Sequence, residues 1–78
     1  MVKVILPELG EGITKAIVSY WYFQKDQAVK QGEDLVELTT DKATFNLPAP
    51  ASGKLSDILA VEGQSVNVAE VLATIEEG

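Results

Sequence analysis

Cysteine, histidine and arginine are all missing from this 78-residue chain, methionine occurs once, and no apolar run approaches the roughly 20 residues that a membrane-crossing helix needs. Each gap removes a class of function. Without cysteine there are no disulfides and no thiolate metal sites to reinforce a core that is thin at this length. Without histidine the usual general base, the commonest metal ligand and every Ser-His or Cys-His arrangement are gone, so independent catalysis is not expected. Six lysines stand against twelve acidic residues, for a net charge of −6. That leaves no basic face for nucleic acid, whereas it suits solubility and basic protein partners. The opening run Met1–Leu6 lacks the long apolar stretch and cleavage site of a signal peptide, so an intracellular protein with no membrane partner is expected.

What is present is a sequence of strand formers. β-Branched and aromatic residues recur in short alternating runs broken by Gly, Pro, Asp and Asn, which predicts an all-β domain over residues 1–78. The predicted strands are Val2–Leu6, Ala16–Phe23, Ala28–Val29, Leu35–Thr40, Ala43–Leu47, Lys54–Ala60, Ser65–Val66 and Val71–Ile75. Ser56–Glu62 is the best helical candidate, but Gly53 and Gly63 bound it too closely for it to outrank a strand. A shift of 37 residues sets Ser19 on Ser56, Gln27 on Gln64, Val29 on Val66, Glu33 on Glu70 and Leu35 on Leu72. This repeat implies two similar halves, each too small to bury its own apolar face, packed with approximate two-fold symmetry. Symmetry would set Lys42 and the chain termini at opposite poles. Glu76-Glu77-Gly78 reads as the start of a linker.

The most informative residue is Lys42. With Asp41 and Lys42 at the centre of a hairpin turn, Thr40 faces Ala43, Leu38 faces Phe45 and Val36 faces Leu47 on one side. Thr39 with Thr44 and Glu37 with Asn46 then fall on the polar side. A lone lysine at a hairpin tip offers its amine to a partner's active site.

Three segments at fixed separations carry a resemblance: Leu6-Pro7-Glu8-Leu9-Gly10-Glu11-Gly12-Ile13, Thr40-Asp41-Lys42-Ala43 and Ser52-Gly53-Lys54. With them the whole chain resembles a lipoyl domain of the dihydrolipoyl acyltransferase component of 2-oxoacid dehydrogenase complexes, in the biotinyl/lipoyl domain family. The resemblance implies a flattened barrel, a barrel-sandwich hybrid of two four-stranded antiparallel sheets, with Lys42 at the turn of one sheet and both termini in the other. It implies lipoic acid joined to Lys42 by an amide bond, which would take the net charge from −6 to −7. It also implies a non-catalytic carrier served by a lipoate protein ligase. Its further partners would be a thiamine-diphosphate-dependent 2-oxoacid decarboxylase, an acyltransferase core and dihydrolipoyl dehydrogenase, in the cytoplasm or the mitochondrial matrix. Gly10-Glu11-Gly12-Ile13 looks more like pyruvate or branched-chain members than 2-oxoglutarate ones. One departure is Asp26, where the family usually has the glycine that its repeat partner Gly63 keeps. Asp26, Gly53 and Gly63 are read as structural turn residues.

Other features carry two readings each. Asp41 and Ala43 serve either turn chemistry or recognition by the ligase or decarboxylase. Glu8, Leu9, Gly10, Glu11 and Gly12 form either a plain connection or a surface loop by which the decarboxylase knows its carrier; the second reading is preferred. Tyr20-Trp21-Tyr22-Phe23 is read as core packing, not a ligand platform, because Trp21 matches Ile58 in the repeat. Two rivals share the fold. A biotinyl carrier normally flanks its lysine with methionines, where this chain has Asp41 and Ala43. A non-carrier assembly module typically inserts a helical hairpin where this chain has two residues.

Overall fold

Strict alternation sends every second side chain of a strand to the same face, so each short run supplies one inward row and one solvated row. The computed structural model describes residues 1–77, which form eight strands and no helix. These are β1 (Val2–Ile5), β2 (Lys15–Trp21), β3 (Ala28–Val29), β4 (Asp34–Thr39), β5 (Thr44–Pro48), β6 (Gly53–Ile58), β7 (Ser65–Asn67) and β8 (Val71–Glu76). Every predicted strand is present with its ends displaced by at most two residues. The strands make two four-stranded antiparallel sheets, ordered β1-β8-β6-β3 and β5-β4-β2-β7, in a body of 37 × 20 × 17 Å. Val4, Leu55, Leu72 and Ile75 from the first sheet meet Val18, Leu35, Val36, Leu38 and Val66 from the second, all buried. Trp21 belongs to this core, as predicted, and its Nε1 donates to the carbonyl of Ala60 at 2.8 Å. Tyr20 and Tyr22 on either side of it are exposed.

The repeat turns out to record structure position by position. Ser19 and Ser56 are the extra residues of two β-bulges: Val18 pairs Leu38 and Tyr20 pairs Glu37, just as Leu55 pairs Ile75 and Asp57 pairs Thr74. Leu35 and Leu72 are the extra residues of a second matched pair of bulges, in β4 and β8. A bulge lets two successive residues point inward, which is how Leu35 and Val36, and again Leu72 and Ala73, are all buried. Gln27 and Gln64 accept the backbone N–H groups of Gln24 and Val61, and Glu33 and Glu70 accept those of Lys30 and Asn67. Four repeated side chains thus close two pairs of equivalent turns.

Backbone sign follows the same symmetry. Asp26 (φ 74°) matches Gly63 (φ 91°), and Ala69 (φ 74°) matches Gly32 (φ 92°). Asp26 therefore does hold the left-handed conformation that its repeat partner leaves to glycine, while the fold around it is unchanged. Ala69 has no polar group to ease that conformation, which costs an L-residue about 1–2 kcal/mol. Ala69→Gly is expected to raise stability by about 0.5–1 kcal/mol after the added chain entropy of glycine is subtracted. The check is a higher urea midpoint at unchanged m-value; an unmoved midpoint would contradict it.

Gly53 corrects the sequence reading. It is not a positive-φ turn residue but the first residue of β6, paired with Val29 and pressed against the end of β8. β8 itself continues through Glu76, so residue 76 belongs to the strand, and Gly78 lies outside the described residues.

Candidate functional site

β4 and β5 pair in the register the apolar pattern predicts: Val36 with Leu47, Glu37 with Asn46, Leu38 with Phe45 and Thr39 with Thr44. Thr40–Ala43 join them. The N–H of Thr40 donates to the Ala43 carbonyl at 2.8 Å. The hydroxyl oxygen of Thr40 accepts the N–H groups of Lys42 and Ala43, at 3.2 and 3.1 Å, and its own hydrogen goes to the Ala43 carbonyl at 2.9 Å. One small side chain therefore fastens the connection, using the local hydroxyl-to-backbone bonding that threonine favours in turns. Sequence reasoning gave Thr40 only a register partner; its hydroxyl was the signal it passed over. Neither Asp41 nor Lys42 has positive φ, so the connection is not one of the primed two-residue turns.

Lys42, Asp41 and Ala43 are all exposed. The other five lysines sit differently. Lys3, Lys15 and Lys54 lie within strands, Lys25 reaches Asp57 at 3.6 Å, and the N–H of Lys30 is held by Glu33 in a tight turn.

The stretch from Pro7 to Thr14 lies beside this connection. Its position follows from a break in the two-fold symmetry. Leu6 exchanges backbone hydrogen bonds with Glu70 and Ala69, as Ala49 does with Glu33 and Gly32, so Leu6 and Ala49 are equivalent at an offset of 43 residues. From β2 onward the offset is 37, so the β1–β2 connection carries six more residues than its β5–β6 counterpart. Leu9 is half-buried and packed on the core, which anchors the loop. Glu8, Gly10, Glu11 and Gly12 are exposed around a shallow depression that reaches Val68. Gly12 stands nearest the lysine: a Cβ built on it would lie 3.9 Å from Lys42 Nζ. The structure thus brings Asp41, Lys42 and Gly12 together and leaves Asp26, Gly53 and Gly63 in other turns and strands.

The site is thus an exposed primary amine on a fastened turn, with an acidic loop at its side. Among the described residues no cluster of three acidic groups is placed to hold a metal.

Known proteins are similar to this chain in sequence and in fold. Residues 2–75 match the Biotin_lipoyl family, described as "Biotin-requiring enzyme". The chain is 43% identical over 76 residues to the dihydrolipoyllysine-residue succinyltransferase component of 2-oxoglutarate dehydrogenase complex of Bartonella vinsonii, covering 97% of this chain and 18% of that protein. It is 41% identical over 78 residues to the same component of Bacillus subtilis, covering 100% and 19%. To the dihydrolipoyllysine-residue acetyltransferase component of pyruvate dehydrogenase complex of Acholeplasma laidlawii it is 38% identical over 71 residues, covering 91% and 13%. The chain spans about a fifth of the length of the succinyltransferase relatives. The solution structure of the lipoyl domain of the 2-oxoglutarate dehydrogenase complex from Azotobacter vinelandii superimposes with a TM-score of 0.81 at 31% identity, covering 100% of this chain and 99% of that one.

These relatives include components of both 2-oxoglutarate and pyruvate dehydrogenase complexes, so they do not single out the pyruvate or branched-chain members toward which Gly10-Glu11-Gly12-Ile13 leans. Gly10 and Gly12 both have positive φ, so that run answers to loop geometry and says little about the acyl group. The chain belongs to the biotinyl/lipoyl domain family, as a lipoyl domain of the kind carried by the acyltransferase components of 2-oxoacid dehydrogenase complexes.

Proposed function

We propose that Lys42 is the lipoylated residue of this domain and that the parent protein is the succinyltransferase component of a 2-oxoglutarate dehydrogenase complex. One observation carries the reading: of the six lysines, Lys42 alone sits exposed on a connection between two strands that pair directly with each other, and Thr40 fastens that connection. A ligase must choose one amine among six, and a fixed turn supplies the shape that a flexible side chain lacks. Lys42 first gives up one ammonium proton, and with it its charge; the free amine then attacks the carbonyl carbon of an activated lipoyl ester, the amide bond forms as the bond to the activating group breaks, and that group leaves as a second proton passes from the nitrogen to solvent. Once attached, the lipoyl group supplies a dithiolane that accepts an acyl group and two electrons and gives both up again. Everything else the chain contributes is presentation.

Such a carrier serves a thiamine-diphosphate-dependent decarboxylase, an acyltransferase core and dihydrolipoyl dehydrogenase in turn, wherever the complex resides. Tethering makes each of those encounters intramolecular, so local concentration and not tight binding sets turnover. Weak docking of an acidic domain suits that task. Glu8 and Glu11, exposed on the loop beside Lys42, would steer the decarboxylase toward this end of the domain. Glu8→Gln with Glu11→Gln is expected to slow reductive acylation by about three- to tenfold, the range for losing rim charges, with lipoylation unaffected. Unchanged acylation kinetics would remove the loop from the recognition surface.

The deciding experiment is the intact mass of the chain after incubation with lipoate protein ligase, ATP and lipoate. A gain of one lipoyl group is expected. A biotinyl adduct with biotin ligase in its place would make the chain a biotin carrier, and no adduct from either ligase would make it an assembly module.

A further inference from the structure

At the foot of Lys42 is a groove of about 500 Å³. Gly12 and Ile13 from the six-residue insertion form one wall, and Lys42 itself stands at the rim. Ile17 of β2 lies between its register partners Thr39 of β4 and Ser65 of β7, which also line the groove. Ala16 and Val18 point into the core, so Ile17 points out, and it is 42% exposed. Its neighbours on that outer face are Lys15, Ser19, Glu37, Thr39 and Ser65. An isoleucine there gains nothing from the core, yet together with half-buried Ile13 it gives the groove an apolar lining directly below the lysine.

We propose that this groove is where the arm attached to Lys42 rests, with the dithiolane ring laid over Ile17 and against Ile13 between visits to partner enzymes. The proposal rests on reading Lys42 as the lipoylated residue. The arm's hydrocarbon chain and ring are apolar, and burying them with two isoleucines removes apolar surface of both from water. Because the arm is rooted at the rim, its ring is held at high local concentration, so a contact too weak to hold free lipoamide suffices. The contact also keeps the disulfide of the ring from passing thiols without hindering a partner that binds the ring more tightly.

The test uses the lipoylated chain, with the adduct first established by intact mass. Nuclear Overhauser cross-peaks are expected between the dithiolane protons and the δ1 methyls of Ile13 and Ile17. A chain carrying acetyl-lysine at position 42, which loses the same charge but has no ring, should leave the Ile17 methyl where it stands in the unmodified protein. Reduction of the ring by dithiothreitol, which gives up two electrons and two protons to it, should be about threefold slower than for free lipoamide if the ring is docked about two-thirds of the time. Ile17→Ser should remove the cross-peaks and restore the rate of free lipoamide. Absent cross-peaks with an unprotected ring would overturn the proposal and leave the lipoylation of Lys42 standing, as would protection that survives Ile17→Ser. A chain that takes up no lipoyl group would instead overturn the reading of Lys42, and the groove proposal with it.

Discussion

Lys42→Ala will leave the domain folded and unable to take up a lipoyl group. Its side chain is exposed on the connection between β4 and β5, and the bonds that fasten that connection come from Thr40 and from backbone groups that alanine retains. Stability should therefore change by less than about 0.5 kcal/mol, the usual range for a surface substitution that touches no special feature. Loss of the adduct should be complete, because none of the other five lysines offers the same surroundings. Lys3, Lys15 and Lys54 project from strands, Lys25 faces Asp57, and Lys30 lies in a turn closed by a carboxylate. Lys42→Arg provides the complement: it keeps the positive charge but has no amine able to form the amide, so it too should show no gain in mass. Peptide mapping that found a lipoyl group on Lys15 or Lys30 in the Lys42→Ala chain would show that the turn does not direct the ligase.

The alternation of apolar and polar residues made the register of β4 with β5 legible, because a slip of one residue would have turned Leu38 and Val36 out to water. It could not show the bulges. Leu35 beside Val36, and Leu72 beside Ala73, read as breaks in a period of two, and only the backbone reveals that an extra residue sends both inward. The repeat held more than its five identities suggested, since those residues mark bulge and turn positions that backbone geometry makes demanding. Its limit was β1 and β5, where at an offset of 43 only Pro7 and Pro50 coincide. The six-residue insertion that forms the loop beside Lys42 was invisible for that reason. So were the roles of Leu9 and Ile17, which depend on the path of that loop and on neighbours across the sheet.

Gly53→Ala will have the opposite profile to Lys42→Ala, with the fold strongly destabilised and the lysine turn untouched in sequence. A Cβ on Gly53 would collide with the carbonyl oxygen of Glu76, approach the carbonyl carbon of Glu76 to 3.0 Å and stand 2.9 Å from Ile75 Cγ2. Two of those atoms belong to backbone, and the third to a fully buried side chain, so no flexible group can swing aside. Moving the strands apart is no remedy. Lys54 pairs with Glu76 and Leu55 with Ile75, while the Leu55 carbonyl accepts the N–H of Asp26 at 2.6 Å and its own N–H donates to Gln27. Opening β6 from β8 would break that ladder and withdraw Leu55 and Ile75 from the core together. The first half carries Ala16 at the matching position, buried and paired with Val66 as Gly53 is with Val29. A small residue is thus a requirement of both halves, and the absence of even a methyl group is a requirement of the second, where the last residues of β8 cross over it. Overpacking alone costs about 1–3 kcal/mol, and a clash with fixed backbone lies at or above the top of that range. A domain of this length has only about 4–12 kcal/mol to lose. The expected result is a urea midpoint lowered by at least the equivalent of about 3 kcal/mol, with the near-ultraviolet signal of buried Trp21 weakened or gone. A midpoint within about 0.5 kcal/mol of the parent chain would mean that β8 yields at Glu76, and that the close approach of the two strands is not what the fold requires of this glycine.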